Sequence, residues 1–126
     1  MTGLSKMVLI VDGNEINLEI LKEFLASEGF LFESTKSVSQ CYDMLKQSPD
    51  MYDIVILDRM MPDGDGVSIL KDKRSLLGLQ DLPVIIQSGL AMEEKIQEGL
   101  DAGANAYLTK PFSKQALFDA INKVLA

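Results

Sequence analysis

At 126 residues, with 47% hydrophobic and 25% charged side chains, the chain has the size and balance of one globular domain with a real core. Its net charge of −7 argues against nucleic acid as a direct partner, since no local basic patch offsets it. With no histidine and a single cysteine, Cys41, the chain excludes an internal disulfide and a histidine general base or phosphate carrier, and argues against zinc.

The longest apolar runs hold only a few residues, so no membrane span is expected, and no charged-then-apolar leader precedes the first of them. A cytoplasmic location is expected, and any bound cation should be a hard one held by oxygens. The whole chain, 1–126, reads as a single domain, with 1–5 as a frayed, polar terminus.

Met7 to Val11 is a buried-strand run that ends at Asp12 and is broken by Gly13. Asn14 then caps a helix with Glu15 in its first turn, and Ile16, Ile20 and Phe24, with Leu21 and Leu25, recur at helical spacing up to Gly29. Phe30 to Thr35 is a shorter and more polar strand, suited to a sheet edge. Ser37 caps a second helix whose apolar side is Val38, Cys41, Tyr42 and Leu45; Cys41 there is a small core residue rather than a reactive thiol.

Ile54 to Leu57 are four consecutive apolar residues, the pattern of a strand buried on both faces, and the strand delivers Asp58 at its end. Pro62, Gly64 and Gly66 make the following stretch a loop. A third helix from Asp65 or Gly66 carries Val67, Ile69, Leu70, Leu76 and Leu77, with the charge run from Lys71 to Arg74 as its solvated face. Pro83 to Gln87 forms a fourth strand ending at Ser88. A helix from about Met92 to Ala102 follows, with Met92, Ile96 and Leu100 on one side. Asn105 to Thr109 is a fifth strand, leading through Lys110 and Pro111 to a last helix capped by Ser113. Strand and helix alternate five times, which implies an α/β fold: a five-stranded, parallel, doubly wound sheet with helices on both faces.

In such sheets the chemistry gathers beyond the carboxyl ends of the strands. Those ends here offer Asp12, Asp58, Ser88 and Lys110. Taken singly, each is an ordinary surface polar group at a turn; four at matching topological positions are not. Two carboxylates about 4 Å apart repel by roughly 4 kcal/mol at an effective dielectric near 20, so a cation is required. Mg²⁺ and the Lys110 ammonium would meet that need. The set suits phosphoryl transfer, with Asp58 as nucleophile and Ser88 donating a hydrogen bond.

From about Lys6 to Ala126 the chain resembles the receiver domains of two-component response regulators, the CheY-like family. The resemblance is carried by Val8-Leu9-Ile10-Val11-Asp12, Leu57-Asp58, Met61-Pro62 with Asp65-Gly66, Pro83-Val84-Ile85-Ile86, and the run from Gly103 to Phe112. It implies the flavodoxin-like strand order 2-1-3-4-5. It also implies that Asp58 is the phosphoacceptor, served by a histidine kinase or a histidine phosphotransfer protein. Asp12, Asp58 and the Met60 backbone carbonyl would hold Mg²⁺, and Ser88 and Lys110 would contact the acyl phosphate. Tyr107 would be a switch aromatic, turning inward as Ser88 moves and altering the face of the fourth helix, fifth strand and fifth helix, where an output protein or domain binds. Such a domain is a regulatory phosphoacceptor rather than an enzyme.

Two departures stand out. Gly13 replaces the family's second acidic residue, which would weaken Mg²⁺ binding, and Gly64 replaces a larger apolar residue, which would loosen the loop after Asp58. An alternative is therefore a degenerate receiver-like interaction module that signals without phosphate. A flavodoxin-type FMN protein is a third reading, but the loop after the first strand lacks the hydroxyl-rich composition that a phosphate cradle needs. Met60 and Leu90, both bulky and apolar, would flank the path of a hydrolytic water and slow loss of the phosphoryl group.

Overall fold

The computed structural model describes residues 6–75 and 78–126, without the side chains of 73–75. The readings of 1–5, Leu76, Leu77, and the Lys73 and Arg74 side chains lie outside the described residues. Five parallel strands form the sheet: β1 (Met7–Val11), β2 (Leu31–Thr35), β3 (Ile54–Leu57), β4 (Val84–Ser88) and β5 (Ala106–Thr109), in the order β2-β1-β3-β4-β5. Helices α1 (Glu15–Ser27), α2 (Val38–Gln47), α3 (Val67–Ser75) and α4 (Glu93–Asp101) make the crossovers, and α5 (Lys114–Leu125) follows the last strand. This is the flavodoxin-like, doubly wound architecture expected.

Alternate residues of the inner strands feed opposite faces, as the pleat requires. Leu9, Val11, Val55, Leu57, Val84 and Ile86 pack with Val38, Cys41 and Leu45 of α2 and Val67 and Leu70 of α3. Val8, Ile10, Ile54, Ile56 and Ile85 pack with Leu18, Leu21 and Leu25 of α1 and Leu117, Phe118 and Ile121 of α5. Cys41 is fully buried within the first of these layers, and burial pushes its thiol up to about 12. Phe30 lies just before β2 rather than in it, stacked on Phe118 with ring centroids 5.8 Å apart.

Two apolar stripes differ from the sequence expectation. On α1 the buried positions are Leu18, Leu21 and Leu25, while Ile16 is 73% and Ile20 42% exposed. Both sets satisfy a helical repeat, but they lie on opposite sides of the same helix, and only one can face the sheet. On α4, Met92, Ile96 and Leu100 do share a side, but Met92 and Leu100 are exposed and Ile96 is half-buried; the buried residue is Gly99.

The stretch after Asp58 is more ordered than a plain loop. Met60–Met61 pairs antiparallel with Gly64–Asp65, and α3 begins only at Val67 because the Gly66 N–H turns back to the Arg59 carbonyl at 2.8 Å. Side-chain caps sit where expected: Asn14 accepts from Asn17 N–H at 2.9 Å, Ser37 from Gln40 at 3.1 Å and Ser113 from Ala116 at 3.0 Å. A further one, unforeseen, comes from Asp63, whose carboxylate accepts from Val38 N–H at 2.8 Å and Ser39 N–H at 3.0 Å.

Candidate functional site

Ladder hydrogen bonds continue past the strands and fix the positions of the residues beyond them. Asp12 N–H donates to Thr35 at 3.1 Å, Asp58 N–H to Val11 at 2.8 Å, and Lys110 N–H to Ser88 at 2.8 Å. Asp12 and Asp58 therefore emerge side by side on neighbouring strands, and Lys110 reaches between them. Its Nζ lies 2.9 Å from Asp58 Oδ2 and 3.3 Å from Asp12 Oδ2.

The two carboxylates have unlike surroundings. Asp12 is fully buried, and its Oδ1 accepts the Asn14 N–H at 2.8 Å. Its Oδ2 accepts Gln87 Nε2 at 2.8 Å, a short contact from Asn17 Nδ2, and Lys110. Burial works to raise its pKa, but those donors outweigh burial and hold it below the usual carboxylate range. Asp58 is 4% exposed and, among the described residues, accepts only Lys110 and the Met60 N–H, the latter at 3.3 Å. Burial dominates there, and with the nearby Asp12 charge it raises the Asp58 pKa despite Lys110.

Ser88 is buried at the edge of the site, its hydroxyl accepting the Leu90 N–H at 3.2 Å. Among the described residues it makes no hydrogen bond to Asp58. Tyr107 is half-buried, and its hydroxyl donates to the Leu90 carbonyl at 2.8 Å. The ring lies against Gly99: a Cβ there would stand 2.9 Å from Tyr107 Cε2 and 2.7 Å from Ile86 Cδ1. Met60, at the mouth, is 63% exposed, and Leu90 is half-buried.

Gly66 explains itself, because a Cβ would fall 2.2 Å from the Asp58 carbonyl oxygen. Gly64 has φ +148° and takes part in the ribbon with Met61. The ribbon, the Gly66 turn and the Asp63 cap tie this segment to its neighbours through hydrogen bonds. Gly13 has a neighbour as well: its Cβ would meet Pro62 Cδ at 2.8 Å, so any side chain there must displace that ring.

The donor set suits a hard cation. Asp58 keeps acceptor capacity, the Met60 carbonyl lies in the adjoining ribbon, and magnesium needs only one or two carboxylates because it retains waters. Among the described residues no group of three His, Cys, Asp or Glu gathers to hold a metal.

Residues 8–122 match the family described as the response regulator receiver domain. The chain belongs to that family.

Among curated relatives, the receiver is 30% identical to the chemotaxis protein CheY of Halobacterium salinarum, over 97% of this chain and 98% of that protein. It is 47% identical to the transcriptional regulatory protein VxrB of Vibrio cholerae over 81 residues, which are 64% of this chain but only 32% of VxrB. A solved relative is the CheX–CheY complex of Borrelia burgdorferi with BeF₃ and Mg²⁺, at TM-score 0.88 and 27% identity, covering 99% of this chain and 92% of that one. Receivers of this family are regulatory phosphoacceptors of two-component signalling.

The sequence reading set Asp12, Asp58, Ser88 and Lys110 at the carboxyl ends of the strands, and the fold places these four at one sheet edge, with Met60 in the ribbon that follows Asp58 and Tyr107 within β5, paired with Ile86. It did not single out Asn17 and Gln87, the two amides on Asp12. Nor did it single out Arg59, whose guanidinium is 2% exposed and binds Asp65 at 2.8 and 3.2 Å, the Lys95 carbonyl at 2.9 Å, and Glu98. Asp65 above all, then Glu98 and the Tyr107 hydroxyl, raise the Arg59 pKa against the effect of burial.

Proposed function

We propose that the chain, 1–126, is a single phosphorelay receiver in which Asp58 takes a phosphoryl group from a histidine kinase or a histidine phosphotransfer protein. The observation that carries this reading is Lys110 Nζ, 2.9 Å from the Asp58 carboxylate at the carboxyl edge of the sheet. An Asp58 oxygen forms the new P–O bond as the donor's P–N bond breaks, and the electron pair leaves with the imidazole nitrogen. Lys110 offsets charge on the phosphoryl oxygens, and Ser88 turns its hydroxyl from Leu90 to the acyl phosphate. Asp12, Asp58 and the Met60 carbonyl would hold Mg²⁺, which would neutralise the anionic site. For that, Asp12 offers Oδ1, on which the Asn14 N–H leaves acceptor capacity, whereas Oδ2 already meets Gln87, Asn17 and Lys110.

Tyr107 and Ser88 form the switch. It acts on the face of α4, β5 and α5, where an output protein or domain docks in the cytoplasm, without nucleic acid or membrane contact. No helix among the described residues is long and apolar enough to cross a membrane.

Mass spectrometry after incubation with acetyl phosphate, with and without Mg²⁺, tests this function. One phosphoryl group should appear in Mg²⁺, and none on Asp58→Asn. Equal labelling of the substituted protein would move the chemistry elsewhere. A second reading, an interaction module that needs no phosphate, is favoured by Gly13 and by the donors already on Asp12 Oδ2; it predicts no labelling at any Mg²⁺ concentration.

A further inference from the structure

Asp58 and Arg59 are consecutive, so their side chains leave the end of β3 in different directions. Asp58 enters the acidic site. Arg59 enters the space beneath α4, where it is almost wholly buried. Its fork spans two parts of the fold: Asp65, on the ribbon that closes over the site, and the Lys95 carbonyl with Glu98, on α4. The Arg59 backbone carbonyl is held too, accepting Gly66 N–H at 2.8 Å and Met61 N–H at 3.1 Å. Stability alone does not explain such a residue, because a buried ion pair is often no better than packed apolar side chains of equal volume. What a planar five-donor fork adds is geometry.

We propose that Arg59 is a positioning residue that ties α4 to the phosphoacceptor. By fixing the chain on both sides of the Met60 peptide, it pre-organises the N–H that meets Asp58 Oδ1. The order of α4 and the affinity of the acidic site are then one coupled quantity. Coupling of this kind is reciprocal, so a change on the outer turn of α4 must be felt at Asp58. This inference rests on the reading of Asp58 as phosphoacceptor.

The test uses Glu98→Ala, Arg59→Met and the double variant. Glu98 is half-exposed and far along the chain from Asp58, and its truncation leaves the buried Arg59 still paired with Asp65. Two measurements are made: beryllofluoride affinity in Mg²⁺ by NMR titration, and hydrogen exchange of the Met60 amide without ligand. Each single variant should weaken beryllofluoride about five- to tenfold. The double should be no weaker than Arg59→Met alone, because both remove one link. Met60 should exchange faster in all three. Wild-type affinity and unchanged Met60 exchange in Glu98→Ala, or effects that simply add, would overturn the tie. If the wild-type protein takes no beryllofluoride, the phosphoacceptor reading fails, and Met60 exchange in Glu98→Ala decides the tie by itself. Should Arg59→Met not fold, Glu98→Ala still carries both measurements.

Discussion

Asp12 and Asp58 stand at the ends of adjacent strands, share one lysine and are both buried, yet their acidities move in opposite directions. Asp12 is surrounded by donors and is held as the anion. Asp58 has few donors and keeps capacity to bind something more. Burial is common to both, so the number of hydrogen bonds decides the sign. One carboxylate is built into the structure, and the other is left available for chemistry.

Removing each in turn is the most severe way to break that contrast. Asp12→Ala leaves the buried Gln87 amide without its acceptor and Lys110 with Asp58 alone of its two carboxylates, and should cost about 3 kcal/mol in a urea unfolding experiment. A loss indistinguishable from zero would mean that the Asn17–Asp12–Gln87 clasp is not structural.

Next in size is the lifetime of the modified state. Met60→Asn with Leu90→Glu places hydrogen-bonding groups where two apolar side chains stand. It should speed phosphate loss about tenfold at saturating Mg²⁺, equivalent to about 1.4 kcal/mol of barrier. An unchanged decay rate would show that water access at these flanks does not set the lifetime.

Asp58→Asn should act on stability in the opposite sense to Asp12→Ala, raising Tm near neutral pH because a poorly solvated charge is removed. The sign follows from linkage. A raised folded pKa means that the native state binds the proton more tightly, so the wild-type penalty is full above that pKa. It fades as pH falls toward the ordinary 3.8. The gain from Asp58→Asn should therefore shrink with acidification. Asp12 works the other way: its contribution is present above 3.8 and is lost as pH falls through its lower folded value. A Tm difference between Asp58→Asn and wild type that does not vary with pH would contradict the raised pKa.

The smallest effect is expected at Gly13. Gly13→Asp restores a carboxylate beside Asp12 and should tighten Mg²⁺ by a few-fold, since hard cations gain affinity with ligand charge. The new side chain must push Pro62 aside and adds repulsion in the metal-free protein, so Tm without Mg²⁺ should fall. Equal magnesium affinity in both proteins, measured by calorimetry, would make Gly13 irrelevant to the metal.

The inner strands and the residues at their carboxyl ends were legible because they follow from the chain itself: apolar runs such as Met7–Val11 and Ile54–Leu57, each stopped by an aspartate. What escaped notice depends on contacts between distant segments. Asn17 sits within a helix and Gln87 one residue before a strand's end, and nothing local marks either as a partner of Asp12. Arg59 meets Glu98 across 39 residues and the Lys95 carbonyl across 36, so only the fold reveals it. The two stripes of α1 show a subtler limit. Ile16 and Ile20 obey the same spacing as the buried leucines, and periodicity cannot say which side meets the sheet.

Gly99 has a consequence for α4. The residue that makes room for the Tyr107 ring is the seventh of nine in α4, and glycine inside a helix costs up to about 1 kcal/mol relative to alanine. That helix also starts at Met92 without a side-chain cap and buries no other residue. Local opening should therefore be least expensive here, and the α4 amides should be among the first helical amides to exchange with solvent. A partner that covers Met92, Ile96 and Leu100 would spend part of its binding free energy on ordering the surface it recognises. Its affinity should fall steeply on warming, well before the sheet beneath begins to melt.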